Sequence, residues 1–413
     1  MRNISRRRLL QTLSHLSVPP LLGLTQKVKA GAPEKPVFFI NLQASGGWDV
    51  ASFCDPKMNV AGEKIVNNWA KTSELQTAGN LRFAPIGNNQ EFFNQHYQKI
   101  LVINGVNART NVHAAGRLSS LTGSDHNGSP SLSVLYAAER ARHLPMPVMV
   151  GNSFETAGLL APTQIGGNID ELIALNRASN KNHNLLPADD FELLQNWRRQ
   201  SAVKQGNDSK NWQNYLAAIN VDDSGFPLCL HYYETLEQGN VVANRVHNAI
   251  KFALCAFKAG LGLAFDFSIG GFDTHDKHDL RMANCLTQLT DAATAAWFFA
   301  EQLAIQDQLL LMMESEFGRT PFYNDVAGKD HWPYSSVMIM KANASWTNRV
   351  IGQTTPDCRG TPLDPKSLLP SSQGVELQPK HLHGALRRYL GIANGAYAQQ
   401  FPLKEDLQYN FFG

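Results

Sequence analysis

The sequence is poor in several features that would have assigned it quickly. Its five cysteines, Cys54, Cys229, Cys255, Cys285 and Cys358, are widely spaced, odd in number and form no C-x-x-C pair. No zinc knuckle is therefore expected, and an oxidising compartment would permit at most two bridges with one thiol left over. Long apolar runs are also missing. The best stretch, Phe252 to Ile269, is interrupted by Lys258, Gly260, Gly262 and Asp266, short of the roughly 18 continuous apolar residues a membrane-spanning helix needs. No stable membrane insertion is expected. There is no G-x-S-x-G element, and Gly46-Gly47 is not followed by the glycine spacing of a dinucleotide fold, so serine-hydrolase and dinucleotide readings both fail. No internal repeat or low-complexity tract occurs.

A surplus of positive charge is absent once the first residues are set aside. The whole chain carries a formal charge of +2, but six basic and no acidic residues fall within positions 1–30, so removing them leaves −4. A mildly acidic chain lacks the clustered basic footprint of a nucleic-acid binder, and no nucleic-acid partner is expected. The first 30 residues have an order of their own: Ser5-Arg6-Arg7-Arg8-Leu9-Leu10-Gln11, a modestly apolar stretch from Leu9 to Leu24, then Val28 and Ala30 at small-residue positions. This is the layout of a twin-arginine signal peptide cleaved after Ala30. It predicts the twin-arginine export machinery as a partner and a periplasmic or secreted location. A frayed basic terminus is the plainer alternative.

Residues 31–413 suffice for one large α/β domain or two smaller ones, and a single domain is expected. Val37 to Leu42 is a short apolar run ending at Gly46-Gly47-Trp48-Asp49, which reads as a buried parallel strand and a tight loop. The same grammar recurs at Ile100–Asn104, at Leu261–Ile269 before Gly270-Gly271-Phe272-Asp273, and at Leu309–Met313 before Glu314-Ser315-Glu316. Helical patterns lie at Val112–Leu121, Ser131–Arg142, Asn240–Lys258, Cys285–Gln302 and Lys380–Leu390. Strand-then-helix alternation predicts a doubly wound, mostly parallel sheet flanked by helices, with ligands bound beyond the carboxyl ends of its strands. The Asn- and Ser-rich region 152–223 reads as an irregular or helical insertion.

Chemistry-bearing residues gather in those strand-end loops. Asp273, His275, Asp276 and His278 follow one strand; Glu316 and Arg319 follow another, with Lys329-Asp330-His331-Trp332 shortly after. Asp and His are ligands for zinc, manganese and similar ions. Each taken alone has a plainer reading, since a strand-end Asp commonly caps a helix or forms a turn. Three such loops together point to a divalent metal site. His113, opening a helix, and His381 and His383 near the last one are weaker candidates.

Gly46-Gly47-Trp48-Asp49, Gly271-Phe272-Asp273-Thr274-His275, Ser315-Glu316-Phe317-Gly318-Arg319-Thr320, Asp330-His331-Trp332 and the segment Leu382–Ile392 resemble the exported bacterial proteins catalogued as domain of unknown function fifteen-oh-one. Those proteins are related to the alkaline phosphatase and sulfatase superfamily. The resemblance implies an alkaline-phosphatase-like α/β sandwich holding one or two divalent ions (zinc, manganese, calcium or magnesium). It implies Asp49, Asp273, His275, Asp330 and His331 as metal ligands, and a nucleophile near the start of the helix after the second strand, where Thr110 or Asn111 stands before His113. Arg319 would contact the transferred group or pair with a carboxylate. Thr110 is equally readable as a helix cap. Cys54-Asp55-Pro56-Lys57-Met58 lacks the arginine of a sulfatase C-x-P-x-R element and lies too early.

The expected function is an exported metal-dependent hydrolase acting on a phosphate ester, less readily a sulfate ester, of a small molecule or polymer. Phosphoryl or sulfuryl transfer needs a cationic centre and an activated nucleophile. A non-catalytic periplasmic binding or scaffold protein of the same fold is the alternative.

Overall fold

A computed structural model describes residues 35–151, 158–160, 162–165, 193, 225–404 and 407–413. The leader at 1–30 lies outside them, as does almost all of the insertion expected around 152–223. Pro36–Gly413 forms one compact unit.

Twelve strands occur among the described residues. They are β1 (Phe38–Ala44), β2 (Gln76–Ala78), β3 (Leu81–Phe83), β4 (Ile100–Asn107), β5 (Val148–Val150), β6 (Thr163–Gln164), β7 (Ala264–Ile269), β8 (Leu309–Ser315), β9 (Gly318–Arg319), β10 (His331–Trp332), β11 (Tyr334–Lys341) and β12 (Arg349–Ile351). Eight helices accompany them: α1 (Asn89–His96), α2 (His113–Thr122), α3 (Leu132–Arg140), α4 (Gly225–Thr235), α5 (Arg245–Lys258), α6 (His278–Gln302), α7 (Pro379–Tyr389) and α8 (Ala396–Gln400).

The central sheet has eight strands in the order β12-β4-β11-β8-β1-β7-β5-β6. Every pairing is parallel except the two made by β11, which runs against β4 and β8. The four strands read from apolar runs are β1, β4, β7 and β8. The expected mostly parallel sheet flanked by helices is present, with one reversed strand added.

Strand β1 shows how the layers form. Its even positions face one helical layer, where Phe38 stacks on Phe257 of α5 at 5.1 Å between ring centroids. Its odd positions Asn41 and Gln43 face the other layer, and Gln43 donates to the Ser120 hydroxyl of α2 at 3.2 Å. That second face is polar for a buried surface. Asn41 donates to Glu314 at 3.0 Å, and Ser131 and Ser133, at the start of α3, both donate to Asp266. Burial pushes the Asp266 carboxyl up to about 6, the three donors only partly offsetting it; Glu314 is raised well above its usual range for the same reason.

All five cysteines are buried free thiols, so the fold is held without a bridge. No helix among the described residues is long and apolar enough to cross a membrane.

Candidate metal centre

The parallel strands β1, β7 and β8 end side by side, and the loops leaving them form the site. After β1 the chain turns through Gly46 and Gly47, at φ +122° and +93°. A Cβ on Gly46 would lie 2.3 Å from the Asp273 nitrogen, and one on Gly47 would lie 2.7 Å from the Phe317 ring. Glycine is required there because the β7 and β8 loops press directly on the turn. Its buried carbonyls then serve as acceptors: Arg319 donates from Nε to Gly47 at 2.8 Å and from Nη2 to Gly46, and its Nη1 donates to the Lys329 carbonyl at 3.0 Å.

Arg319 is completely buried, and its Nη2 also donates to Asp273 Oδ1 at 2.6 Å. Three imidazoles surround the same carboxylate. His275 Nε2 is 3.0 Å and His331 Nε2 3.1 Å from Asp273 Oδ1, while His113 Nε2 is 3.6 Å from Oδ2. His275 Nε2 and His331 Nε2 are themselves 3.0 Å apart. Ligand atoms of His113, Asp273 and His331 all fall within 4.8 Å of one another. Phe317, fully buried, walls one side, its ring 5.1 Å from that of His113 and 4.6 Å from that of His331.

The opposite nitrogen of each imidazole faces an acceptor. His113 Nδ1 donates to Glu316 Oε1 at 2.5 Å, His275 Nδ1 to Asp330 Oδ1 at 2.8 Å, and His331 Nδ1 to the Asn111 carbonyl at 2.8 Å. These bonds assign the proton to Nδ1 and leave each Nε2 as a lone pair. Three lone pairs and a carboxylate aimed at one another repel unless a cation sits among them. The donor set therefore fits a metal ion. Ligands on a tetrahedral ion at roughly 2.0–2.1 Å stand about 3.3 Å apart, close to the spacings found here. Partial burial alone would raise Asp273, but the Arg319 guanidinium beside it brings its carboxyl down to about 2.

The remaining expected residues fall differently. Asp49, expected as a ligand, is outside this cluster. Its Oδ2 accepts from Lys329 Nζ at 2.8 Å, His278 Nε2 at 2.9 Å and Ser52 Oγ at 2.9 Å, and its Oδ1 from the Ala51 amide at 3.0 Å. Burial pushes that carboxyl up, yet Lys329 and His278 hold it below the carboxylate range. Asp330, also expected as a ligand, stands behind His275 and accepts from Asn324 as well, at 3.2 Å. His113, expected as a catalytic residue and a weaker metal candidate, belongs to the cluster. Thr110 Oγ1 accepts from the Val112 amide at 3.1 Å, closing the turn before α2; the next residue, Asn111, is the one that meets His331. His381 and His383 are buried in α7, and His383 Nε2 donates to the Ser120 carbonyl at 2.6 Å.

Glu316, Lys329 and His278 received no role from sequence reasoning. Glu316 sits one residue beyond β8 and was visible as a strand-end acid; its other oxygen, Oε2, is buried without a partner. His278 is held neutral by burial, against the pull of Asp49, and its Nδ1 accepts from the Thr274 hydroxyl at 2.8 Å.

Fold and site together define an α/β sandwich with a His/Asp cluster, a candidate metal site, at the carboxyl ends of its parallel strands. Residues 254–358 match a family described as "Protein of unknown function (DUF1501)", the family that the motifs resemble. That span includes Asp273, His275, Glu316, Arg319 and Asp330-His331. No curated protein matches the chain in sequence. Among solved structures, the alkaline phosphatase from the Antarctic bacterium TAB5 is similar at 11% identity, with 76% of this chain and 94% of that one covered and a TM-score of 0.35. A sulfatase from Pseudoalteromonas sp. is similar at 10% identity, with 90% and 70% covered and a TM-score of 0.39.

Proposed function

We propose that His113, Asp273, His275 and His331 hold one divalent ion and that the protein is a metal-dependent hydrolase of phosphate esters, with sulfate esters the lesser substrates. The observation that carries this is the convergence of three Nε2 lone pairs on one carboxylate, each imidazole fixed from behind by an acceptor. Three nitrogens and one oxygen suit zinc or manganese better than calcium or magnesium, which favour oxygen.

Such an ion, when bound, supplies a Lewis acid for an ester oxygen. The chain's own residues do the rest. Glu316, Asp330 and the Asn111 carbonyl orient the imidazoles, as acceptors behind metal-bound histidines generally do. Arg319 holds Asp273 and the Gly46-Gly47 turn in place, which makes it a positioning residue rather than a grip on the transferred group. Phe317 keeps water from one side. Thr110 Oγ1, having accepted from Val112, retains its own proton to release and remains the candidate nucleophile; its position beside Asn111 supports the assignment.

A second reading, a binding or scaffold protein using the same centre, is favoured by Arg319, whose guanidinium is spent on carbonyls and Asp273 instead of being free for a charged ester. Metal content and turnover separate the two. Purified protein is expected to carry zinc or manganese, lost in His331→Ala, and to cleave aryl phosphates, phosphodiesters or aryl sulfates at a rate reduced in Asp330→Ala and abolished in Thr110→Ala. Metal without turnover, and an inert Asp330→Ala, select the binding reading; absence of metal defeats both.

A further inference from the structure

Lys329 is fully buried, and its Nζ lies 2.8 Å from Asp49 Oδ2 and 3.2 Å from Asn67 Oδ1, over the Tyr323 ring at 5.1 Å. An ammonium so placed satisfies its donors and neutralises a carboxylate that is only 1% exposed. Asp49 Oδ2 is meanwhile crowded by three donors, Lys329, His278 and Ser52, while Oδ1 accepts from the Ala51 amide. A divalent ion at Oδ2 would have to displace a cation tethered to the chain.

The tether is rigid. The Lys329 amide donates to the Thr274 carbonyl at 3.1 Å, and the Lys329 carbonyl accepts from Arg319. The preceding Gly328 lies so close to the Asp273–His278 loop that a Cβ there would stand 1.7 Å from the His275 carbonyl oxygen. Lys329 thus ties the loop after β1 to the loops that carry His275 and His331, and the next residues along are Asp330 and His331.

We propose that Lys329 is a built-in cation filling the position at Asp49 where a second metal ion would otherwise sit, so that the centre is mononuclear and Asp49 is not one of its ligands. This rests on the proposed centre at His113, Asp273, His275 and His331. Metal per chain, measured on the full protein by elemental analysis and native mass spectrometry, is expected to be one in the wild type and one in Asp49→Asn. Lys329→Ala opens a space lined by Asp49 and Asn67 oxygens. It is expected to take a second ion when supplied with magnesium, and to regain thermal stability as it does so. Lys329→Met, which keeps the bulk, should not, and Asp49→Asn/Lys329→Ala should lose the gain. Two ions in the wild type, or loss of the ion from Asp49→Asn, overturn the proposal while leaving the metal centre standing.

Should the wild type hold no ion, the centre itself fails, and Lys329 is judged from unfolding in chelator. There Asp49→Asn/Lys329→Met must recover at least half of the melting temperature lost in Lys329→Met. Independent, additive losses overturn the cation role.

Discussion

Arg319→Lys keeps the positive charge and removes the fork. In the folded protein the guanidinium serves the carbonyls of Gly46, Gly47 and Lys329 and the carboxylate of Asp273. A lysine ammonium reaching the same place from one direction can serve one or two of these, leaving two or three buried acceptors without donors. Each buried acceptor left unsatisfied costs about 1–3 kcal/mol, so a loss of roughly 3–6 kcal/mol is expected, a large part of the ~5–15 kcal/mol that holds a domain together. For a unit of this size, with unfolding entropy of roughly 0.8 kcal/mol per kelvin, that is a fall in melting temperature of about 4–7 °C. Scanning calorimetry of both proteins in chelator measures the effect apart from metal binding. The same variant should lose metal affinity, because Asp273 is freed to rotate. A melting temperature within about 1 °C of the wild type would show that the carbonyls find water and that Arg319 does not hold these loops together.

Glu316→Gln replaces the charged acceptor behind His113 by a neutral amide that can present either its oxygen or its NH2 to Nδ1; metal affinity by competitive chelator titration is expected to fall roughly 10–100-fold with the fold intact. Gly328→Ala forces the two imidazole-bearing loops apart and should cost about 2 kcal/mol or more of stability, together with bound metal, in urea unfolding and elemental analysis. Asp266 is raised in the folded state from 3.8 to about 6, so its contribution to stability is complete below pH 4 and disappears as pH rises through 6. That loss is about 3 kcal/mol, and Asp266→Asn should remove this part of the pH dependence of the urea midpoint.

The strands with continuous apolar runs were legible because β1, β4, β7 and β8 are buried on both faces; β4 alone runs on past the glycine, Gly105, at which its apolar run stops. Strand β11 was not, since Tyr334-Ser335-Ser336 begins it with residues that read as a turn; its reversal is set by pairing with β4 and β8, which no local pattern encodes. At the site, residue type pointed to Asp273, His275 and His331 because carboxylates and imidazoles cluster in few residues after a strand. The division of labour among them was hidden. Asp49 has the same local setting as Asp273, and only the arrival of Lys329 from the other end of the fold distinguishes them. A lysine between glycine and aspartate reads as an exposed turn residue. His113 was underrated for a similar reason, because its acceptor, Glu316, lies 203 positions away.

Strand β1 occupies the middle of the sheet, yet both of its neighbours come from the far side of the chain: β7 on one edge, β8 on the other. The pair formed by Asn41 and Glu314 spans 273 positions. During synthesis this central strand therefore emerges early and waits, unpaired along both edges, until most of the polypeptide has followed. Such long-range closure makes for slow folding and a long-lived sticky intermediate. The protein's demand on chaperones should thus be set by its first strand.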